Sequence, residues 1–362
     1  MAEMTGAIAS WVPAMTRCAG CHDQCLTATA EAAATGDQTY VVSRVASLGL
    51  RLLDGRMRWS AEAVAPLFMG LNDGIQAEVC VFRADGHRIE PYLRALRAEA
   101  VRRGFAPDHV RVAQDRIRTT GSVFGVPIPP SDPPKAGAVV LLHDAATAAL
   151  NPGALGATRA LLRRAGIEPF ASWIPSTGAV EADLGLVDES LRATTTMVDA
   201  IAATAPSMIV SSDPVLVARA RDVLGSQDGS VPVVHVAQAL DATDLAFAAR
   251  SISVAVHDSG ALGRSLDASG AVRRVLGRVT GLELREPVNS GRLAASDGPA
   301  GPYPDASVAE AIAHRRMDEL RRTDADMIIT SSPYSLANLR EVAGETRVAD
   351  LVVFLAGLGA PR

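Results

Sequence analysis

The chain of 362 residues is 48% hydrophobic and 21% charged with a formal net charge of -5, long enough for two or three domains, each burying its own core. Without a basic excess it lacks the electrostatic footprint of nucleic-acid binding, and nucleic acid is set aside as a partner. No apolar run reaches the eighteen or so residues of a spanning helix; the best candidate, Ala138 to Leu150, is interrupted by His143 and Asp144.

The start, Met1 to Pro13, has neither a basic n-region nor a long apolar core, so a cytoplasmic protein is expected, with any membrane association coming through a partner. Residues 1–115 hold all four cysteines and read as helices. The apolar spacing predicts a short helix over Ala61 to Met69 and a stronger one over Ile89 to Arg103, whose arginines read as a solvated face. Residues 116–135, ending in PIPPSDPPK, read as a Pro-rich linker that sustains neither helix nor central strand.

Two further regions, 136–245 and 246–362, alternate apolar runs with helical segments, the pattern of parallel sheets covered on both faces. In the first, AVVLL precedes a helix through Arg164, followed by PFASWI, a helix from Val187 to Thr204, SMIVSS, another helix and VPVVHV. In the second the order recurs as ISVAVHDSG, a helix, LELREP, a helix from Val308 to Thr323, DMIITSSP, a helix, and RVADLVVFL as the closing run. This predicts an internal duplication of roughly 120 residues. The expected fold class is α + α/β.

Cys18, Cys21 and Cys25 form C-x2-C-x3-C within RCAGCHDQCL, and Cys80 stands alone in QAEVCVF. Three thiolates on one loop and one distant thiolate can enclose a single metal centre; four soft ligands in a reducing compartment suit a [4Fe–4S] cluster or zinc, and spacing leaves both open. His22 reads as a flanking polar residue.

RCAGCHDQCL resembles the first half of a two-cluster helical ferredoxin domain, with Met15 at the first cysteine of the frame and Cys18, Cys21 and Cys25 at the other three. GLNDGIQAEVCV resembles the second half, with Gly70, Asp73 and Gln76 at cysteine positions and Cys80 in the last. The rest resembles the tandem cysteine-rich CCG domains found in heterodisulfide reductase and in the iron–sulfur subunits of glycolate oxidase and of the anaerobic glycerol-3-phosphate dehydrogenase. VHDSGALGR places Gly260 at a cysteine; IVSSDPVL and ITSSPYSL place Asp213, Leu216, Ser332 and Ser335 at four more. PSTG and ASDG resemble the CCG turn at Ser176, Thr177 and Gly178 and at Ser296, Asp297 and Gly298, and Asp144 sits at a repeat's first cysteine. The resemblance implies a helical ferredoxin-like region followed by two duplicated CCG-type repeats. No cysteine follows Cys80, so neither repeat is expected to hold a cluster or reduce a disulfide.

What the resemblance leaves is one [4Fe–4S] cluster on Cys18, Cys21, Cys25 and Cys80, with Cys25 brought into the site by a small loop shift. The chain is then a non-catalytic electron-transfer subunit, with a flavoprotein dehydrogenase or another iron–sulfur subunit as partner. The alternative is a scaffold of an oxidoreductase complex with a structural metal, zinc or cluster, at the same cysteines. A repurposed enzyme ranks last. For it, His257 with Asp258 offers an acid–base pair and Asp144 with Asp213 paired carboxylates, at strand ends where parallel sheets place ligands. The blander reading makes them turn residues that satisfy loose backbone groups.

Overall fold

The computed structural model describes residues 6–133, 136–225 and 231–360. Up to Thr120 the described chain forms helices and turns only, the longer helices being Val12–Ala19, Val42–Leu53, Ala61–Met69, Glu90–Arg102 and Asp108–Thr120. The apolar stripes of these helices meet around Met15, Leu52, Leu67, Tyr92 and Leu96, all fully buried. The helix Ala61–Met69 starts where the sequence places it because Ser60 Oγ accepts the Ala63 N–H.

In the helix Glu90–Arg102, Arg102 keeps to the expected solvated face, but Arg97 and, in part, Arg94 depart from it. Arg97 is buried and donates to the carbonyls of Leu67 and Asp183 at 2.7 Å and to that of Gly70, while Arg94 reaches the Asp183 carboxylate at 2.5 Å. They fasten this helix to the segment beyond residue 175. A guanidinium fully surrounded by carbonyl acceptors can be buried without an ion pair of its own.

The expected linker also differs at its start. The helix Asp108–Thr120 runs into it and ends at Gly121, whose φ of 80° suits a glycine C-cap; the first proline comes only at Pro127. Farther on, Ser131 Oγ and an Asp132 carboxylate oxygen accept the N–H groups of Trp173 and Ala171 at 2.8 Å, and the Asp132 N–H donates to Ala171 O. The segment thus covers the outer edge of a strand that would otherwise present unpaired amides.

Eight strands follow: β1 (Val139–Asp144), β2 (Pro169–Ile174), β3 (Met208–Ser211), β4 (Val233–His235), β5 (Ile252–His257), β6 (Leu282–Arg285), β7 (Met327–Thr330) and β8 (Val348–Asp350). They make two four-stranded parallel sheets, ordered β2-β1-β3-β4 and β6-β5-β7-β8. Each element of the first sheet recurs about 115 residues later in the second. Five of the six residues of β1 are buried, as a parallel strand covered on both faces requires.

Two boundaries differ from the reading of the sequence. The helix expected through Arg164 is split into Ala145–Leu150 and Ala154–Arg164 by Asn151-Pro152-Gly153. The closing run is a strand only to Asp350; there the carboxylate accepts the N–H groups of Val352 and Val353, and LVVFL continues as the helix Leu351–Leu358.

One continuous hydrophobic core spans both sheets, from Val140 and Ile209 to Val254, Ile329 and Leu355. The fully buried His235 ring lies 3.3 Å from both Ser212 O and Ser331 O, joining the carboxyl end of β3 to that of β7.

Candidate functional site

Cys18 stands in the last turn of Val12–Ala19, Cys25 in a short 3-10 turn behind Asp23, whose φ of 59° turns the loop back, and Cys80 just past the helix Ile75–Glu78. The chain folds so that all four cysteines, Cys18, Cys21, Cys25 and Cys80, line one small cavity with Ser43 and Phe82. All four are free thiols. His22 is exposed and does not line the cavity.

Cys18 is buried and the other three half-buried. Burial, aided by the neighbouring thiols, pushes Cys18 up to about 11 and Cys25 up to about 12. Both are therefore neutral thiols at pH 7 unless a cation displaces their protons. Two further groups bear on Cys18 that no motif announces: His87 Nε2 lies 3.0 Å from its sulfur and the Tyr92 hydroxyl donates to it at 3.4 Å. Burial and Arg17 push the pKa of His87 down, so its ring is uncharged. The cations around the mouth are paired: Arg44 with Asp23 at 3.2 Å, Arg83 with Glu78 at 2.6 Å, and Arg17 with Asp85 at 3.7 Å.

Among the described residues no three His, Cys, Asp or Glu side chains stand close enough to hold one metal ion as they are. A single tetrahedral ion would need the thiols to draw together, whereas a four-iron cluster bonds its thiolates at separate irons. The donor set, four soft sulfurs around one cavity with uncharged donors behind it, is of the kind that either a cluster or zinc takes.

At the strand ends of the first sheet the polar residues act as caps. Asp144 Oδ1 accepts the Thr147 N–H at 3.0 Å and Asp213 Oδ1 that of Val215 at 2.8 Å. Burial pushes Asp144 up to about 6 and Asp213 well above the carboxylate range, the latter raised further by Asp144. Asp213 Oδ2 is buried with no hydrogen-bond partner among the described residues. Ser176 donates to the buried Glu181 at 2.8 Å. The paired carboxylates thus exist, but enclosed in packing.

At the second sheet His257 and Asp258 do not form an acid–base pair. Arg316 Nε donates to His257 Nδ1 at 3.0 Å, which leaves the ring proton on Nε2, 3.1 Å from Asp297 Oδ1 and off the line of a straight hydrogen bond. Asp258 receives both Arg273 nitrogens at 2.9 Å and the Gly291 N–H at 2.7 Å. Burial raises the Asp258 pKa, but the Arg273 hydrogen bonds and charge outweigh it and hold it below the ordinary value. Neither side chain is free to exchange a proton with a substrate. Ser332 caps the helix Pro333–Glu341. Of the positions likened to cysteines, Gly260, Asp297, Ser332 and Ser335 line one cavity here, while Asp144, Ser176, Asp213 and Leu216 lie buried outside it.

No family model matches the sequence and no curated protein matches it. Among solved structures, the chain is similar to the crystal structure of a hypothetical protein from Helicobacter pylori, with a TM-score of 0.58 and 11% identity over 98% of this chain and 73% of that one. At that identity the likeness concerns the fold, an α/β architecture of helices with two four-stranded parallel sheets.

Proposed function

We propose that this chain is a cytoplasmic electron carrier that holds one [4Fe–4S] cluster on Cys18, Cys21, Cys25 and Cys80 and exchanges single electrons with a flavoprotein dehydrogenase or another iron–sulfur subunit. The observation that carries the reading is the convergence of four thiols from two separate segments on one cavity. In this reading the helical region is ferredoxin-like and the two sheets are CCG-type repeats without their cysteines.

Bound there, the cluster supplies a one-electron couple. The chain's part is to set it: the hydrogen bonds from Tyr92 and His87 to Cys18 neutralise part of the sulfur's charge, which favours the reduced state and raises the potential. Cys21, Cys25 and Cys80 are half-buried and Val81 beside them is 59% exposed, so a docked partner has access to one side of the site.

Anaerobic purification with iron, sulfide and zinc analysis and an EPR spectrum of the dithionite-reduced protein tests the reading. About four irons and four sulfides per chain are expected, with the signal lost in Cys80→Ser. Stoichiometric zinc without a signal would replace the carrier by a scaffold with a structural metal.

A further inference from the structure

A second cavity lies away from the cysteines, beyond the carboxyl ends of β5 and β7. Its volume is about 190 Å³, room for a small organic molecule rather than one ion. These two adjacent strands carry the switch in strand order, since β6 lies on one side of β5 and β7 on the other; parallel sheets bind ligands at that position. The helices Pro214–Leu224 and Glu90–Arg102 close it from the other side through Arg219 and Arg94.

Two arginines, Arg94 and Arg219, and four carboxylates, Asp73, Asp183, Asp222 and Asp297, line the cavity, and what distinguishes them is which are already paired: Asp73 is held by Arg264 at 2.9 Å, Asp297 lies 3.1 Å from the His257 ring, and Asp222 is exposed. Arg94 is spent on Asp183, which also receives Asn72 at 2.9 Å. Arg219 is not: one terminal nitrogen donates to the Thr194 hydroxyl at 2.9 Å, and among the described residues its buried Nε has no partner and no carboxylate hydrogen-bonds to it. Ser259 and Ser332 each accept a backbone N–H, from Leu262 at 3.3 Å and from Ser335 at 3.5 Å, so each keeps its own O–H to donate. The Tyr334 phenol, which burial keeps protonated, lines the same space.

We propose that this cavity binds a small carboxylate, its anionic end on the Arg219 fork and its remainder among Ser259, Ser332 and Tyr334. A half-buried guanidinium without a carboxylate partner calls for an anion, and its planar fork matches a carboxylate. A phosphate dianion fits less well. Asp222 and Asp297 also line the wall, and the two helix N-termini that could cradle a phosphate are already capped by Asp213 and Ser332. The site is independent of the cysteines and of any cluster they hold.

Isothermal titration of the full chain with propionate, succinate and benzoate, against propionamide and inorganic phosphate, tests the proposal. At least one carboxylate is expected to bind saturably, one per chain, while propionamide gives no heat. Arg219→Gln should weaken that binding at least about tenfold, as loss of a charge-assisted bidentate contact implies, with its ligand-free melting unchanged. Should Arg219→Gln fail to fold, Arg219→Lys keeps the charge without the fork and should bind several-fold more weakly. Silence from all three carboxylates, tighter binding of phosphate, or undiminished affinity in the folded variant would overturn the assignment.

Discussion

His143 and His257 stand at the carboxyl ends of β1 and β5, the corresponding inner strands of the two sheets, and both rings are fully buried. They live in opposite surroundings. His143 has no hydrogen-bond partner at either ring nitrogen among the described residues, stacks on Trp173 with centroids 5.2 Å apart, and is driven by burial to a pKa of about 3. His257 is held between Arg316 and Asp297. The carboxylates follow the same division. Asp144 and Asp213 are raised by burial without a cation beside them, whereas Asp258 and Asp297 are buried yet held below the ordinary value, by Arg273 in one case and by the His257 ring with Ser335 and Asn338 in the other. One strand order therefore supports two solutions: a closed, proton-holding end in the first sheet and a charge-compensated end beside an open cavity in the second.

The contrast is broken most strongly at His257. His257→Phe removes the acceptor of Arg316 Nε and the ring beside Asp297, while Arg316 keeps Glu319 at 2.7 Å and Asp297 keeps Ser335 and Asn338, so denaturant unfolding at pH 7 should show a loss of about 2 kcal/mol; a loss below about 0.5 kcal/mol would mean that the ring is not what holds this end. Asp213→Asn should act in the other direction, because it keeps the helix cap and removes a buried charge. The sign follows from the raised pKa. The folded chain holds a proton that the unfolded chain releases, so this contribution is complete below the free value of 3.8 and is lost as pH rises through about 6 at Asp144 and higher at Asp213. The variant should thus gain about 1 kcal/mol at pH 8 and nothing at pH 4, and a gain that ignored pH would point to packing instead. Asp258 has the opposite sense: its stabilisation is present above 3.8 and fades as pH falls below it. The smallest effect belongs to His143→Phe, where replacing two unpartnered ring nitrogens should be neutral or stabilising by up to about 1 kcal/mol. A large loss there would reveal a partner for the ring.

Strand positions were readable because short apolar runs ending in Ser, Asp or His match buried parallel strands, and PFASWI coincides with β2 residue for residue. The misreading of LVVFL has the same root. A short apolar run carries no period, and what made it helical was the Asp350 cap. The three clustered cysteines were equally visible, whereas their meeting with Cys80, 55 positions beyond Cys25, was expected only from the resemblance. His87 and Tyr92 were not visible, since they lie 69 and 74 positions beyond Cys18 and reach it only through packing. Arg97 and Arg219 were hidden for a related reason: an arginine on an amphipathic helix looks solvated until the carbonyls or the void it faces are known.

The shared core has a further consequence for how the duplicated halves behave. With Val140 and Ile329 in one continuous packing unit and the His235 ring seated between Ser212 and Ser331, neither sheet can open its carboxyl end without disturbing the other. The two halves are therefore expected to open as a single foldon. Amide exchange in β3 and β7 is then governed by one common opening event, and a substitution in either copy is felt as a loss of protection in both.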